Sequence, residues 1–305
     1  MRNKTLISIV GPTAIGKTRV SIEVAKALET EIISCDSRQF FKEMNIGTAV
    51  PGNEELKAVP HHFIQHISIF DKYSVGQYEK ETLELIEEKF KTHNELVLTG
   101  GSGLYQKAVL EGLDDFPKVE PSIREKLNHT LNTRGLEPLQ RQLKELDPDY
   151  YEKIDIQNPH RLIRALEICL GTGKPFSFFL NQQQQRPRAF KSLKIGLTAE
   201  RQLIYKRIEK RVDMMFDRGL VEEAKALNPY KHFNALQTVG YKEIFAFFDG
   251  KISLDDAKAE IKKNTRRYAK RQLTWYRKQN DIKWFAYDTA LQNILKYITK
   301  KIPTK

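Results

Sequence analysis

Residues 11–18, with the sequence GPTAIGKT, have the composition and spacing of a phosphate-binding loop. They follow the apolar run 6–10 and open the amphipathic run 17–28, so they lie between a predicted strand and a predicted helix, as a P-loop requires. The backbone N–H groups of such a loop turn toward one anion, and the helix N-terminus adds its positive dipole end. The residues predicted to form it are Gly11, Pro12, Thr13, Ala14, Ile15, Gly16, Lys17 and Thr18. We expect Lys17 to meet the terminal phosphate and the Thr18 hydroxyl to hold a Mg²⁺ ion.

Asp36 is the strongest candidate for a general base, because it follows the second predicted strand, residues 31–34, and should face the loop. A carboxylate there can hold Mg²⁺ through water, or can accept a proton from an attacking amine or hydroxyl. The alternative is that Asp36 only caps a turn or helix together with Ser37. Its position alone leaves both interpretations open.

Two other groups of residues allow a chemical interpretation. Arg207 and Arg211 are one helical turn apart, so they share a face and could stabilise charge on a leaving diphosphate. From the residues alone, a solvated basic face is the better interpretation of this pair. His61 and His62 invite a metal-site interpretation, but no carboxylate or cysteine lies at ligand spacing, so a structural role is favoured.

Residues 262–278 contain eight basic residues and no acidic residue. At helical spacing, seven of the eight lie within an arc of about 140°, and aromatic side chains take the other side. The basic face predicts contact with a nucleic acid backbone, and the aromatic face predicts docking on the body of the protein. The seven basic residues are Lys263, Arg266, Arg267, Lys270, Arg271, Arg277 and Lys278, and the docking residues are Ile261, Tyr268, Trp275 and Tyr276.

The pattern of short apolar runs and helical spacings predicts an α/β fold with a P-loop NTPase-like parallel sheet flanked by helices. Predicted strands cover residues 5–10, 31–34, 95–99, 194–197 and 283–287, and predicted helices include residues 75–90 and 200–218. The first three strands end in polar or glycine-rich segments, the third of them at Gly100-Gly101-Ser102-Gly103. Ligands bind beyond the carboxyl ends of parallel strands, so these three segments should converge on one crevice.

A helical insertion domain is predicted over residues 116–189, between the two parts of a catalytic core formed by residues 1–115 and 190–305. Its predicted helices cover residues 122–133, 136–146 and 159–170. The glutamine tract 182–185 is interpreted as a solvated loop.

The net charge, the lengths of the apolar runs and the cysteine content limit the kinds of partner and cellular location that the protein can have. The net charge of +12 indicates a polyanionic partner. No apolar run reaches the roughly 18 residues of a membrane span, and residues 1–4 leave no room for a signal peptide. Cys35 and Cys169 form no C-x-x-C pair, which fits a reduced protein. We therefore expect a cytoplasmic protein without a membrane partner.

Together these residues resemble the tRNA dimethylallyltransferase family, also called isopentenyl-diphosphate:tRNA transferases. The similar motifs run in family order from about residue 7 to about residue 285, nearly the whole chain. They are residues 11–18, DSRQ at 36–39, IGTA at 46–49, VPHH at 59–62, GGSGLY at 100–105, HRLIRALE at 160–167, GYKE at 240–243 and TRRYAKRQLTW at 265–275. No C-terminal zinc finger follows, as in bacterial members.

The resemblance implies that the loop binds dimethylallyl diphosphate with Mg²⁺, rather than ATP for phosphoryl transfer. The dimethylallyl group would pass to N6 of adenosine 37, 3′ to the anticodon, in tRNAs reading codons that begin with U. The products would be N6-dimethylallyladenosine and diphosphate. The target base would be flipped into a channel, since chemistry cannot reach it inside the stack. The partners implied are the tRNA anticodon stem-loop and dimethylallyl diphosphate, with the protein acting as a monomer.

The resemblance also assigns roles to residues. Asp36 would be the general base, and Arg211, Lys17 and Thr18 would act on the leaving diphosphate. Residues 36–39 would contact the flipped base region, and further residues would lie against tRNA; Ser102 stands where the family usually has threonine. The tRNA-binding residues implied here, together with those of the basic run, are Asp36, Ser37, Arg38, Gln39, Ser102, Arg124, His160, Arg161, Leu162, Ile163, Arg164, Gly240, Tyr241, Lys242, Arg266, Arg267, Lys270 and Arg271.

Three alternatives remain from the sequence. A small-molecule or nucleotide kinase would also use the P-loop and Asp36, but it gives the basic helix no purpose. An adenylate prenyltransferase would share the chemistry and differ in its acceptor. A non-catalytic RNA-binding protein with a relict P-loop is disfavoured by the intact Lys17, Thr18 and Asp36.

Overall fold

The computed structural model describes residues 4–180 and 187–302. The chain forms two units, one of Met1–Leu110 with Arg188–Lys305 and one of Glu111–Pro187. The glutamine tract 182–185 and residues 1–3, on which two sequence interpretations rest, lie outside the described residues.

The first unit is built on a six-stranded sheet in the order β3-β2-β4-β1-β5-β6. Every pairing is parallel, and Thr5 of β1 lies opposite Glu95 of β4 and Lys191 of β5. The strands are β1 Thr5–Val10, β2 Ile32–Ser34, β3 His61–His62, β4 Glu95–Thr99, β5 Lys191–Thr198 and β6 Ile282–Ala286. Strand β1 is therefore central, and the loop after it lies at the middle of the carboxyl edge.

Helices cover the sheet because its central strands are apolar on both faces. Along β1, Ile7 and Ile9 belong to one buried cluster and Leu6 belongs to another, as the alternation of side chains along a strand requires. The helices of this unit are α1 Lys17–Ala27, α2 Asn53–Ala58, α3 Val75–Lys89, α4 Gly103–Glu111, α10 Arg201–Asp217, α11 Leu220–Leu227, α12 Tyr241–Phe248, α13 Leu254–Arg277 and α14 Leu291–Lys301, with α4 ending one residue past the division. The first cluster includes residues of α1 and α10–α14, and the second includes residues of α3 and α4.

The second unit is helical and has its own core. Its helices are α5 Pro121–Arg134, α6 Glu137–Leu146, α7 Pro148–Tyr151, α8 Pro159–Thr172 and α9 Phe176–Phe179. Helix α8 begins after Asn158, whose side chain accepts the Arg161 N–H, and ends at Gly173 in the left-handed region (φ 68°). Leu143, Leu162 and Leu166 are fully buried between these helices.

The predicted α/β class and parallel sheet are confirmed. The five predicted strands are present with ends that differ by up to three residues. The two-residue edge strand β3 and the short helix α2 were not predicted, because segments this short show no measurable periodicity. Among the described residues, no helix is both long and apolar enough to cross a membrane.

Candidate active site

The loop between β1 and α1 has the backbone shape of an anion cradle. Gly11 and Gly16 have φ angles of 145° and 106°, and Ala14 also lies in the left-handed region at 62°. A Cβ at Gly11 would lie 2.5 Å from the carbonyl oxygen of Leu197 on β5, so no larger residue fits there. The Lys17 ammonium folds back and donates to the carbonyl oxygens of Gly11 and Pro12, 3.0 Å from each.

The surroundings of Lys17 shift the pKa of its amine. Burial lowers the pKa of this amine to about 8, although the nearby Asp36 carboxylate favours the charged form. Arg211 disfavours it through its like charge. A bound anion favours the charged form of Lys17, so anion binding to the loop raises the protonated fraction of this amine.

Both arginines of α10 reach the phosphate loop. Arg211 Nη1 donates to Thr13 Oγ1 at 3.0 Å, and Arg207 Nε donates to the Ala14 carbonyl at 2.7 Å. The Arg207 guanidinium also lies 5.4 Å from the centre of the Tyr287 ring. The solvated basic face favoured from the residues alone is therefore wrong for this pair, because the helix turns that face toward the loop.

Asp36 stands in a tight turn directly after β2. Its Oδ1 accepts the Arg38 N–H at 3.2 Å, and its carbonyl accepts the Gln39 N–H at 3.0 Å. The turn-capping interpretation thus holds for one carboxylate oxygen. The other, Oδ2, accepts no hydrogen bond within the described part of the chain and lies beside Gly101, where a Cβ would be 2.9 Å away. Asp36 also acts electrostatically on both Lys17 and Arg211, which places it near the loop.

The end of β4 packs closely against the end of β2. Ser102 Oγ accepts the Ser37 N–H at 3.0 Å, and the two hydroxyls are 2.9 Å apart. A Cβ at Gly100 would lie 2.5 Å from the Cys35 carbonyl carbon. Ser37 and Ser102 thus bind each other, and the predicted convergence of the strand ends is confirmed.

Gln272 and Tyr268 of α13 complete the site, and Gln272 is not among the predicted site residues. Gln272 Oε1 accepts the Thr13 N–H at 2.8 Å, while its Nε2 donates to the Gly101 carbonyl at 2.8 Å. Tyr268 Oη donates to the same carbonyl at 3.0 Å. The sequence does contain an indication of this role: Gln272 lies four residues from both Tyr268 and Tyr276, on the face of the helix that is predicted to dock on the protein.

Arg38 and Gln39 are held by protein carbonyls. Arg38 Nη1 donates to Asn234 and Ala235, 3.0 Å from each oxygen. Gln39 Nε2 donates to Thr48 and Ala49 at 3.3 and 2.8 Å. These two side chains thus brace the loops around Asp36.

The basic face of α13 is partly neutralised from a neighbouring helix. Arg266 Nη1 lies 2.8 Å from Glu209 of α10, so the charge of Arg266 is already paired within the protein, and its contact with tRNA stays a prediction. Arg267, Lys270 and Arg271 are exposed and form no ion pair in the part of the chain that the structure describes.

The aromatic face of α13 docks as predicted at Ile261 and Tyr276, which are buried. Trp275 is the exception at 37% exposed. Its indole lies over Gly103, where a Cβ would be 2.3 Å from the indole nitrogen.

The segment 240–242 places only one side chain on the surface. Lys242 is exposed, whereas Tyr241 is fully buried and donates from its hydroxyl to Glu223 at 2.6 Å. Gly240 is the N-cap of α12, and its N–H donates to Glu243 at 2.9 Å. The prediction that the Tyr241 side chain contacts tRNA is corrected, because the side chain is part of the core.

The helical unit separates its predicted tRNA contacts into two groups. Leu162 and Ile163 are 0% and 3% exposed, so their predicted contact with tRNA is corrected to a core role. His160 and Arg161 are exposed on the same helix. Arg124 and Arg164 both pair with Glu167, with N–O distances of 3.9 and 3.2 Å, and remain half exposed.

The two adjacent histidines form the edge strand β3. His61 Nδ1 is 2.8 Å from the Val59 carbonyl, and His62 Nε2 is 2.6 Å from Glu31. Among the described residues, no group of three or more histidine, cysteine, aspartate or glutamate side chains is arranged to hold a metal ion.

The oxygen ligands that the protein offers near the loop are too few to hold Mg²⁺ alone. They fit a Mg²⁺ ion that binds together with the phosphate groups of a substrate. Thr18 is the second residue of α1 and makes no side-chain hydrogen bond among the described residues, so its hydroxyl is available. Mg²⁺ demands six oxygen ligands and commonly takes several of them from substrate phosphates and water. One hydroxyl with Asp36 nearby meets that pattern.

The fold and the cradle define a P-loop protein of the parallel α/β class, with a carboxylate and two arginines around its anion site. A family model described as IPP transferase matches residues 39–279. The chain is 62% identical to the tRNA dimethylallyltransferase of Christiangramia forsetii over 98% of this chain and 99% of that protein. It is 53% identical to the Flavobacterium johnsoniae protein of the same name, over 98% of each. The chain belongs to the IPP transferase family.

Solved structures agree with this assignment. The full-length tRNA isopentenylpyrophosphate transferase of Bacillus halodurans superimposes with a TM-score of 0.73 at 36% identity, covering 98% of this chain and 97% of that one. A eukaryotic dimethylallyltransferase acting on tRNA gives a TM-score of 0.80 at 26% identity, covering 99% of this chain and 81% of that one.

Proposed function

We propose that this transferase moves a dimethylallyl group from dimethylallyl diphosphate to N6 of adenosine 37 in tRNAs that read codons beginning with U. The products are N6-dimethylallyladenosine and diphosphate. The observation that carries the proposal is the pairing of the P-loop cradle with Asp36, whose Oδ2 is left without a hydrogen bond among the described residues. A kinase would also use a P-loop and this carboxylate, but it gives the exposed basic residues Arg267, Lys270 and Arg271 no purpose.

An adenine amine is a weak nucleophile, which is the main difficulty of the reaction, and Asp36 compensates for it as a general base. As N6 forms a bond to C1 of the allyl group and the C–O bond breaks, one N6 proton passes to Asp36 Oδ2. Such general base catalysis contributes typically about 10²–10⁴-fold to the rate. The base would reach this position flipped out of the anticodon loop.

The loop and its arginines stabilise the departing diphosphate. The backbone N–H groups after β1, the Lys17 ammonium and the Arg211 guanidinium face the position where negative charge develops. Thr18 would hold Mg²⁺, which neutralises further charge on the diphosphate oxygens.

The acceptor in this proposal is the anticodon stem-loop, bound by exposed basic side chains of both units. In the first unit these are Arg267, Lys270, Arg271 and Lys242, and in the helical unit Arg124, His160 and Arg161, with the partly exposed Arg164 beside them. The active form is proposed to be a monomer. The reaction is proposed to take place in the cytoplasm, where the acceptor tRNA is found.

The test is incubation of the protein with labelled dimethylallyl diphosphate, Mg²⁺ and bulk tRNA in the absence of ATP. We expect label on tRNA and release of diphosphate, with the label recovered as N6-dimethylallyladenosine after digestion. Parallel incubations receive ATP or AMP in addition. Consumption of ATP with no label on tRNA would overturn the proposal in favour of a kinase. Label on AMP but not on tRNA would assign an adenylate prenyltransferase instead.

A further inference from the structure

The Glu223 carboxylate organises a loop next to the proposed base. Its Oε2 accepts the N–H groups of Asn45 and Ile46 at 3.2 and 2.7 Å, and its Oε1 accepts that of Gly47 at 2.9 Å. Oε1 also accepts the Tyr241 hydroxyl at 2.6 Å. One side chain thus collects three successive backbone N–H groups, in the manner of an anion in a backbone nest.

No cation pairs with Glu223 within the described residues, so its charge is balanced by dipoles. Glu223 lies in the first turn of α11, where the helix dipole favours a negative charge. The four hydrogen bonds to the carboxylate supply the rest, since hydrogen bonds to a charged acceptor are stronger than neutral ones. If glutamine replaced Glu223, its NH₂ group would be a hydrogen-bond donor placed against backbone N–H groups, which are also donors.

The loop that Glu223 holds returns to the turn that carries Asp36. Its next two carbonyls, of Thr48 and Ala49, accept the Gln39 side-chain amide at 3.3 and 2.8 Å. The Gln39 N–H in turn donates to the Asp36 carbonyl at 3.0 Å. Glu223 and Asp36 are therefore connected through two hydrogen-bonded steps, from Glu223 to residues 45–47 and from residues 48–49 through Gln39 to Asp36.

The packing leaves this loop little freedom to take another course. A Cβ at Gly47 would lie 2.6 Å from the Tyr241 ring, so the loop backbone lies directly on that buried side chain. Ala49 has a φ of 51°, a left-handed conformation that disfavours non-glycine residues unless their surroundings hold them. Ala49 is held by the hydrogen bond from Gln39 to its carbonyl and by that of its own N–H to the Ile46 carbonyl at 3.0 Å, while Glu223 fixes the preceding residues.

We propose that Glu223 is a positioning residue for the transfer reaction, acting through residues 45–49 and Gln39 to fix the Asp36 turn. The inference rests on the proposed function, since it concerns how the base of that reaction is aimed. Glu223 touches no reacting atom.

The experiment compares Glu223→Gln, Gln39→Ala and the double variant in single-turnover transfer from labelled dimethylallyl diphosphate to tRNA. We expect each single variant to lower the rate constant about tenfold or more, with the amplitude and the tRNA Kd retained. Because both changes break the same connection, the double variant should be less than about threefold slower than the slower single variant. Glu222→Gln, an exposed neighbour on α11, is the matched control and should keep the wild-type rate.

A merely structural role predicts a different pattern. Loss of folded protein lowers the amplitude and leaves the rate constant of the remaining enzyme unchanged. Three outcomes would overturn the inference. They are a lower amplitude with an unchanged rate constant, a wild-type rate constant in Glu223→Gln, and a loss of rate in the double variant equal to the product of the two single losses. If Glu223→Gln does not fold, Tyr241→Phe removes one of the four donors and should still give a smaller loss of rate at full amplitude.

Hydrogen exchange separates this inference from the proposed function. In Glu223→Gln, exchange should accelerate at the amides of residues 45–47 and also at Gln39, whatever reaction the enzyme performs. If wild-type protein transfers no label, the proposed function fails. If exchange at Gln39 is unchanged in the variant, the positioning inference fails by itself.

Discussion

Asp36 uses its two carboxylate oxygens differently, and this division makes it suitable as a base. Oδ1 fixes the turn by accepting the Arg38 N–H, while Oδ2 accepts no hydrogen bond among the described residues. We expect Asp36→Asn, which keeps the shape, to lower the single-turnover rate by about 10² or more while tRNA affinity stays near wild type. Quench-flow transfer assays and filter binding measure the two effects. Normal turnover in this variant would remove Asp36 from the mechanism.

Lys17 gives a pH dependence whose sign follows from its pKa. The free enzyme holds this pKa at about 8, because burial disfavours the ammonium. Bound diphosphate favours the charged form, so at pH 8 binding should draw about half a proton into Lys17. Affinity for diphosphate should fall as pH rises from 7 to 9.

Calorimetry in buffers of different ionisation enthalpy measures this uptake. Lys17→Met is the control, because the titration of diphosphate itself is common to both proteins. Equal proton uptake by wild type and variant would contradict the assignment.

At the scale of the element, α13 has two opposed functions. Its buried face places Gln272 between the phosphate loop and Gly101, and its exposed face carries Arg267 and Lys270. Neutralising Arg267 and Lys270 to glutamine should reduce the slope of log Kd for tRNA against log salt by about two.

Arg266→Gln is the matched control for that measurement. Because Glu209 already pairs with Arg266, this change should leave the salt slope nearly unaltered. A slope equal to wild type in the Arg267 and Lys270 variant would assign this face to solvent rather than to tRNA.

The buried face of α13 allows a separate prediction. Gln272→Leu leaves the Thr13 N–H without its partner, which should cost about 1–3 kcal/mol of unfolding free energy. It should also raise the KM for dimethylallyl diphosphate, since the loop loses a support. Urea denaturation and steady-state kinetics test the two effects, with the exposed Thr274→Ala as control. An unchanged KM at reduced stability would limit Gln272 to a structural role.

At the scale of the whole molecule, the separate cores of the two units predict separate responses to core mutation. Leu166 is fully buried in the helical unit, and Leu166→Ala should cost about 2–5 kcal/mol. Hydrogen exchange should accelerate across α5, α6 and α8 and stay unchanged in β1 and β4. Equal acceleration in both units would show that they unfold together.

The sequence predicted the repeated, local features of the fold. Apolar runs located the five longer strands, and GPTAIGKT located the phosphate loop, because its glycines are required by backbone geometry within a few residues. Helix boundaries were predicted within about two residues where caps are present, as at Pro159 of α8.

Long-range partners could not be read in this way. The approach of Arg211 to Thr13 joins residues 198 positions apart, and that of Gln272 to Thr13 joins residues 259 apart. The residues favoured a solvated face for the arginines, because helical spacing defines a face but not what covers it.

What the sequence by itself determined is the chemistry available: a P-loop, a carboxylate after a strand and a basic helix. Each follows from residue types within one turn or one loop, where covalent geometry fixes the spacing. Only the tertiary structure decided which of these groups meet, that Glu209 neutralises Arg266, and that Leu162, Ile163 and Tyr241 are core. The reason is that burial and pairing depend on segments brought together by the packing of the whole chain.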